Sequence, residues 1–202
     1  MSPLMWYLIA YLVGGIPFGY LIAKYAAGIN IKEHGSGNIG ATNVLRVLKE
    51  KDPKLAKKLG ALTLFLDALK GAVVLIIAKF MGVCDAVLWG MAVFAVIGHC
   101  FSPYLKLEGG KGVATTAGVL LVLVPKAVLV AFIVWFIMAK TVRISSLSSL
   151  TAIVVGILST YVLYPNLSIH SHAPLLIIGF IVLYKHKENI YRLITGQEKR
   201  VI

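Results

Sequence analysis

A chain of 202 residues that is 59% hydrophobic and only 14% charged is too apolar for an ordinary soluble domain, in which about a quarter of the residues carry charge. Its net charge of +12, from 20 basic and 8 acidic residues, is a topology signal in such a chain before it is a ligand signal. Two cysteines, Cys84 and Cys100, are too few for a disulfide framework and default to free buried thiols.

The first apolar run begins near Leu4 and continues to about Tyr25. It lacks a basic n-region and an A-x-A-like cleavage site, so it reads as a retained helix. Gly14, Gly15, Pro17 and Gly19 permit a kink and close helix approach within it. Ala27 to Lys58 is polar, with seven basic residues and a short surface helix expected around Val44 to Lys49. Further spans are predicted at about Leu59–Met81, Asp85–Phe101, Ser146–Leu163 and Pro174–Tyr184, followed by a basic tail.

Val113 to Ala139 can be one long span or two short ones turning at Pro125–Lys126. Each half would be about 12 residues, roughly 18 Å as a helix, against a hydrocarbon core of roughly 30 Å. Length favours one span, but charge favours two. A hairpin near Pro125 puts the basic clusters Lys24–Lys58, Lys106/Lys111, Lys140/Arg143 and Lys185–Arg200 on one side, and leaves the Pro165–His172 loop, which has no Lys or Arg, on the other. The expectation is an all-α integral membrane protein, one polytopic domain over 1–202. It has seven transmembrane helices, its N-terminus outside and its C-terminus cytoplasmic. The fourth span is short, with Lys126 snorkelling to the outer interface.

That topology gathers three polar segments on the cytoplasmic face. The first, Gly35 to Arg46, reads GSGNIGATNVLR: three glycines, two hydroxyls, two carboxamides and an arginine. Glycines at positive φ can aim several N–H groups at one point, and a guanidinium grips two phosphate oxygens at once. The G-x-G-x-x-G match within it lacks the strand and βαβ unit that a dinucleotide site requires, so an anion nest or a plain loop are its alternatives. The second segment, Glu108 to Gly118, carries Gly109, Gly110, Lys111 and Gly112 into a helix N-terminus. It is either an anion site or a tight turn with a positive-inside lysine, and it is not a Walker A loop, because Gly112 follows the Gly-Lys pair. The third, Tyr184 to Arg192, sets His186 and Asn189 three apart on one helical face.

His99 lies at membrane depth near the cytoplasmic end of its span, which makes it a functional candidate. Asp67 and Lys70 are spaced for an intramembrane ion pair. No G-x-S-x-G elbow, H-x-x-x-x-D pair or carboxylate cluster occurs, so no metal, cofactor or enzyme nucleophile is expected. Chemistry in such a chain would rely on a substrate nucleophile held close and supported electrostatically.

GSGNIGATNVLR, GHCFSPYLKLEGGKGVATTAG and HKENIYRLITGQEKR, in that order and over almost the whole chain, resemble the three motif regions of the bacterial PlsY family, membrane acyl-phosphate:glycerol-3-phosphate acyltransferases. Asp67-Ala-Leu-Lys70-Gly71 is similar to the family's second span. The resemblance implies transfer of a fatty acyl group from acyl phosphate to the sn-1 hydroxyl of glycerol 3-phosphate, the first acylation of phospholipid synthesis, at the cytoplasmic face of the bacterial inner membrane. By resemblance, Ser36, Arg46, Lys111, His186 and Asn189 are catalytic. Ser36, Asn38, Thr42, Asn43, Arg46 and Lys111 bind glycerol 3-phosphate, and Gly109, Gly110, Gly112, Thr115 and His99 bind acyl phosphate. Membrane lipids are the surroundings, no nucleic acid is implied, and a monomer is expected. The acyl chain is expected in a groove between spans, walled by the short fourth helix, with small residues such as Gly118 setting chain length. A transporter for a phosphate ester is the rival reading, weakened by the lack of an internal repeat.

Overall fold

The computed structural model describes residues 1–200, which form helices and loops with no strand among them. The first apolar run is two helices, α1 (Pro3–Gly15) and α2 (Phe18–Ala27), because Pro17 has no N–H to continue the ladder. After a short 3₁₀ turn come α3 (Ala41–Lys49) and the long α4 (Pro53–Phe80). Then follow α5 (Asp85–Cys100), α6 (Val113–Leu123), α7 (Pro125–Thr141), α8 (Ser145–Leu163), α9 (Ala173–Lys185) and α10 (Lys187–Ile194). Four stretches are long and apolar enough to cross a membrane unaided: Pro3–Ala27, Pro53–Phe80, Asp85–Leu105 and Ser145–Leu163. Large side chains such as Phe65, Phe80, Phe132 and Phe180 stand exposed around them, a surface suited to lipid rather than water.

Glycine contacts fix how the helices run. Gly90 lies on Tyr7, Gly98 on Tyr11, and Gly15 on Pro103 just beyond α5, so α1 and α5 pack closely and in parallel. Thr115 Oγ1 reaches the Asp67 carbonyl and Gly71 faces Val119, so α4 and α6 also run in parallel, with Gly118 against the Ala68 carbonyl. The helix breaks at Val124–Pro125, where Pro125 starts α7. α7 then runs antiparallel to α8: Gly156 lies against Ala131 near one end, and Trp135 Nε1 donates to Ser149 Oγ at 3.3 Å near the other. The two halves are unequal, with 11 residues in α6 and 17 in α7, rather than about 12 each. The surface helix begins earlier than expected, at Ala41, and so carries Thr42 and Asn43 in its first turn. Of the two thiols, Cys100 is buried, but Cys84 is exposed at the α4–α5 turn.

The α1–α2 break frees two carbonyls, and both find donors. Ser102 Oγ donates to the Gly15 carbonyl at 2.7 Å, and Lys70 Nζ donates to the Ile16 carbonyl at 2.7 Å. Lys70 is held in turn by Asp67 Oδ1 at 2.7 Å, with both side chains almost wholly buried. The Asp67 carbonyl accepts from Thr115 Oγ1 at 2.9 Å, which ties α6 to the same point. Removing one partner of a buried pair strands the other charge. Lys70→Met is therefore expected to cost about 3–5 kcal/mol of stability. Adding Asp67→Asn should recover part of that loss. Thermal unfolding in detergent reads both, and an equal loss in the single and double variants would contradict the account.

Candidate active site

The first polar segment is organised from within by Asn43. Its Oδ1 accepts from the Ser36 N–H at 2.9 Å, while its Nδ2 faces the carbonyls of Asn38 at 2.9 Å, His34 at 3.0 Å and Ile31 at 3.3 Å. Gly35 and Gly37 take φ of 63° and 67°, and a Cβ on Gly35 would strike the Asn43 amide. The Gly40 N–H donates to Asn38 Oδ1 at 2.9 Å, closing the loop onto α3. The loop is thus built around one buried amide, and it leaves the Ser36 hydroxyl without a protein partner among the described residues. Arg46 follows Thr42 by one helical turn, and Thr42 Oγ1 meets Ser145 Oγ of α8 at 3.1 Å.

A cavity of about 1000 Å³ opens beside this loop. Its polar end is lined by Ser36, Asn38, Thr42, Asn43, Arg46, Lys111, His186, Asn189 and Arg192. Its other end is an apolar arm between α6, α7 and α8, lined by Ala117, Leu120, Val128, Ala131, Phe132, Ala152, Ile153 and Ile157. Gly112, with φ 85°, is the N-cap of α6, so the first-turn N–H groups of α6 at Val113 and Ala114 lack intrahelical partners where they border the cavity. Burial pushes Lys111 down to about 8, with Arg192 and Arg46 adding to the shift against the pull of Glu198.

The other glycines of the second segment serve packing. Gly109 sits against the His99 carbonyl and Cys100, and Gly110 sits against the His99 ring while donating its N–H to the His99 carbonyl at 3.0 Å. Of Gly109, Gly110 and Gly112, only Gly112 borders the cavity. Thr115 is turned away, its hydroxyl bound to the Asp67 carbonyl, and it is Thr116 that lines the cavity. His99 borders the cavity with its Nδ1 3.6 Å from Asp67 Oδ1. Gly118 does not line the arm. It lets α6 close onto Ala68, so a larger residue there would part the helices instead of shortening a groove.

In the third segment, His186 Nδ1 meets the Val182 carbonyl at 2.8 Å, so Nδ1 carries the ring proton and Nε2 is left as an acceptor. Burial pushes His186 down to about 4, with Lys111 adding to the shift against the Val182 bond, so the ring is neutral near pH 7. Glu198, a cavity residue that the sequence did not single out, binds three groups. Its Oε1 accepts from Ser146 Oγ at 2.7 Å and Asn189 Nδ2 at 2.6 Å, and its Oε2 accepts from Arg192 Nε at 2.6 Å. Burial opposes its charge, but those bonds hold its carboxyl below the usual range. Lys185 is used elsewhere, donating to the Cys100 carbonyl at 2.8 Å over the Phe101 ring. Ser145 and Ser146 were also missed; the signal for them is the serine run that opens α8.

Cationic and neutral polar groups at one end of a cavity and a dry arm at the other suit a ligand with an anionic head and an aliphatic tail. The family model for "Glycerol-3-phosphate acyltransferase" matches residues 4–196. The chain belongs to the glycerol-3-phosphate acyltransferase family. A relative of that name from Sulfurimonas denitrificans is 57% identical, covering 97% of this chain and 95% of its own, and one from Nitratiruptor sp. is 56% identical over 98% and 95%. The crystal structure of PlsY, an integral membrane glycerol 3-phosphate acyltransferase, in its glycerol 3-phosphate form superposes with a TM-score of 0.86 at 38% identity, covering 99% of this chain and 96% of that one. Its lysophosphatidic acid form gives a TM-score of 0.84 at 38% identity, covering 99% and 95%. Family membership sets the transporter reading aside and makes this a multi-pass membrane protein.

A lysine grips an anion best while protonated, and Lys111 loses its proton as pH rises through about 8. The kcat/KM for the anionic substrate should therefore fall above that pH, toward about tenfold per unit. Lys111→Arg should remove this limb, since a guanidinium stays charged. An unchanged limb in the arginine variant would assign it to another group.

Proposed function

We propose that this acyltransferase takes a fatty acyl group from acyl phosphate and places it on the sn-1 hydroxyl of glycerol 3-phosphate, giving lysophosphatidic acid and inorganic phosphate. The observation that carries the reading is the single cavity that joins a cationic head to an apolar arm. Arg46 and Lys111 hold the phosphate of glycerol 3-phosphate, with Ser36, Asn38 and Thr42 around it. The free N–H groups at the start of α6, with Gly112, hold the donor phosphate, and the donor's chain lies in the arm. Asn43 acts by shaping the loop, Gly109 and Gly110 by seating it under His99, and Thr115 by anchoring α6.

The hydroxyl oxygen attacks the acyl carbonyl, a new ester C–O bond forms, and the bond from that carbon to the phosphate oxygen breaks. Phosphate departs with the electron pair, so no acyl-enzyme is needed. The Ser36 hydroxyl and the α6 N–H groups support the developing oxyanion. His186, at about 4, is too weak a base to keep the proton, whereas a phosphate monoester has a second pKa of about 6. A substrate phosphate oxygen therefore takes the proton, while His186 Nε2 and Asn189 orient the hydroxyl.

The reading includes one polytopic domain with seven spans, α1–α2 counting as one and α6 and α7 as two. The N-terminus is outside, and the active site faces the cytoplasm across the inner membrane. The chain works as a monomer. The exposed lysines at 54, 57 and 58, where α4 overshoots the hydrocarbon layer, support that orientation.

Purified protein should release phosphate from acyl phosphate only when glycerol 3-phosphate is present, and release without it would count against the reading. Ser36→Ala should lower kcat by about 10²–10³, the scale of one lost oxyanion donor, with little change in folding. With the exposed Cys84 replaced by serine, a cysteine in place of Arg143 should react with an impermeant thiol reagent from the cytoplasmic side alone. Labelling from outside would overturn the hairpin topology.

A further inference from the structure

The apolar arm has an end, and its position is fixed by named groups. It follows one face of α8, on which Ser149, Ala152, Gly156 and Thr160 recur at helical spacing. From Ser149 to Thr160 that face is roughly 16 Å long. At the far end stand Thr160 and, across from it on the first turn of α7, Ala127, which are 1% and 3% exposed. The Thr160 hydroxyl is turned back to the Ile157 carbonyl at 2.6 Å, so the residue does not need a polar partner from the cavity. One turn further on, Tyr164 Oη accepts the Lys126 N–H at 3.0 Å and clasps the end of α8 to the start of α7. Neither clasp residue borders the cavity.

We propose that Thr160 and Ala127, backed by the Tyr164–Lys126 clasp, form a floor that sets the longest acyl chain the enzyme handles well. The proposal rests on the donor reading above. A chain that enters from the bilayer gains little hydrophobic energy, because lipid tails are as apolar as the arm. Discrimination by length must then come from steric exclusion at a closed end, where close packing resists extra methylenes. The alternative fate of a long chain is to leave sideways between α4 and α7, past Leu64 and Phe132, which line the cavity and are 51% and 61% exposed.

Detergent-purified protein assayed with saturated acyl phosphates from lauroyl to stearoyl separates the two. Thr160→Phe and Ala127→Leu raise the floor from opposite walls, and each should lower the ratio of stearoyl to lauroyl kcat/KM by about tenfold. Ile157→Ala removes bulk from the same end and should raise that ratio. Lauroyl turnover by each variant shows that it is folded. Ratios unchanged from wild type in all three variants would overturn the floor and favour sideways exit. Wild-type protein that turned over none of the acyl phosphates would overturn the donor reading, and the floor with it.

Discussion

A buried ion pair on one helix is the joint on which the polar end of this protein is assembled. Asp67 holds Lys70, and Lys70 donates to the Ile16 carbonyl at the Pro17 break. Asp67 also receives Thr115 of α6 on its backbone carbonyl and has the His99 ring of α5 beside its carboxylate. Four parts of the chain therefore meet within about a turn of α4. Neither charge could sit in a membrane interior alone, and each of the broken helix's free carbonyls needs a donor there. From this joint the glycine loop is set under His99, and the start of α6 is set at the cavity wall.

The cavity suits an acyl transfer that needs no nucleophile from the protein. On the proposed reading the donor is activated before it arrives, so the protein's task is placement of two anions and one chain. Bringing two phosphate groups together is unfavourable without countercharge, which Arg46, Lys111 and Arg192 supply around the same space. Arg192 is partly neutralised by Glu198, which also fixes the amide of Asn189 and the hydroxyl of Ser146. That network joins α8, α10 and the tail at the polar end of the cavity.

Much of the fold was legible because apolar run length, proline positions and the distribution of lysines carry it. The break at Pro125 is an example: charge argued for it where helix length argued against it, and α6 does end one residue before Pro125 opens α7. The site was legible as three segments but less so within them. Sequence cannot tell which of two adjacent threonines on α6 points at the cavity, and Thr116 does where Thr115 was expected. Asn43 looked like a ligand group because a carboxamide in a glycine loop can serve either backbone or substrate. Its four bonds to the loop show which one it serves. Glu198 was invisible for a different reason: it lies in a basic tail where a lone carboxylate reads as solvated, and only the return of the tail over Ser146 gives it a role. Gly118 was misplaced because a glycine that admits a neighbouring backbone and one that admits a ligand look the same in sequence.

The central claim is that the acyl group passes directly between two substrates held together, with no covalent stop on the protein. Incubating the enzyme with acyl phosphate and isotopically labelled inorganic phosphate, in the absence of glycerol 3-phosphate, tests it most directly. The account predicts no label in the recovered acyl phosphate. Label entering acyl phosphate under those conditions, with an acyl group recovered on the denatured protein, would show a reversible acyl-enzyme and would contradict it.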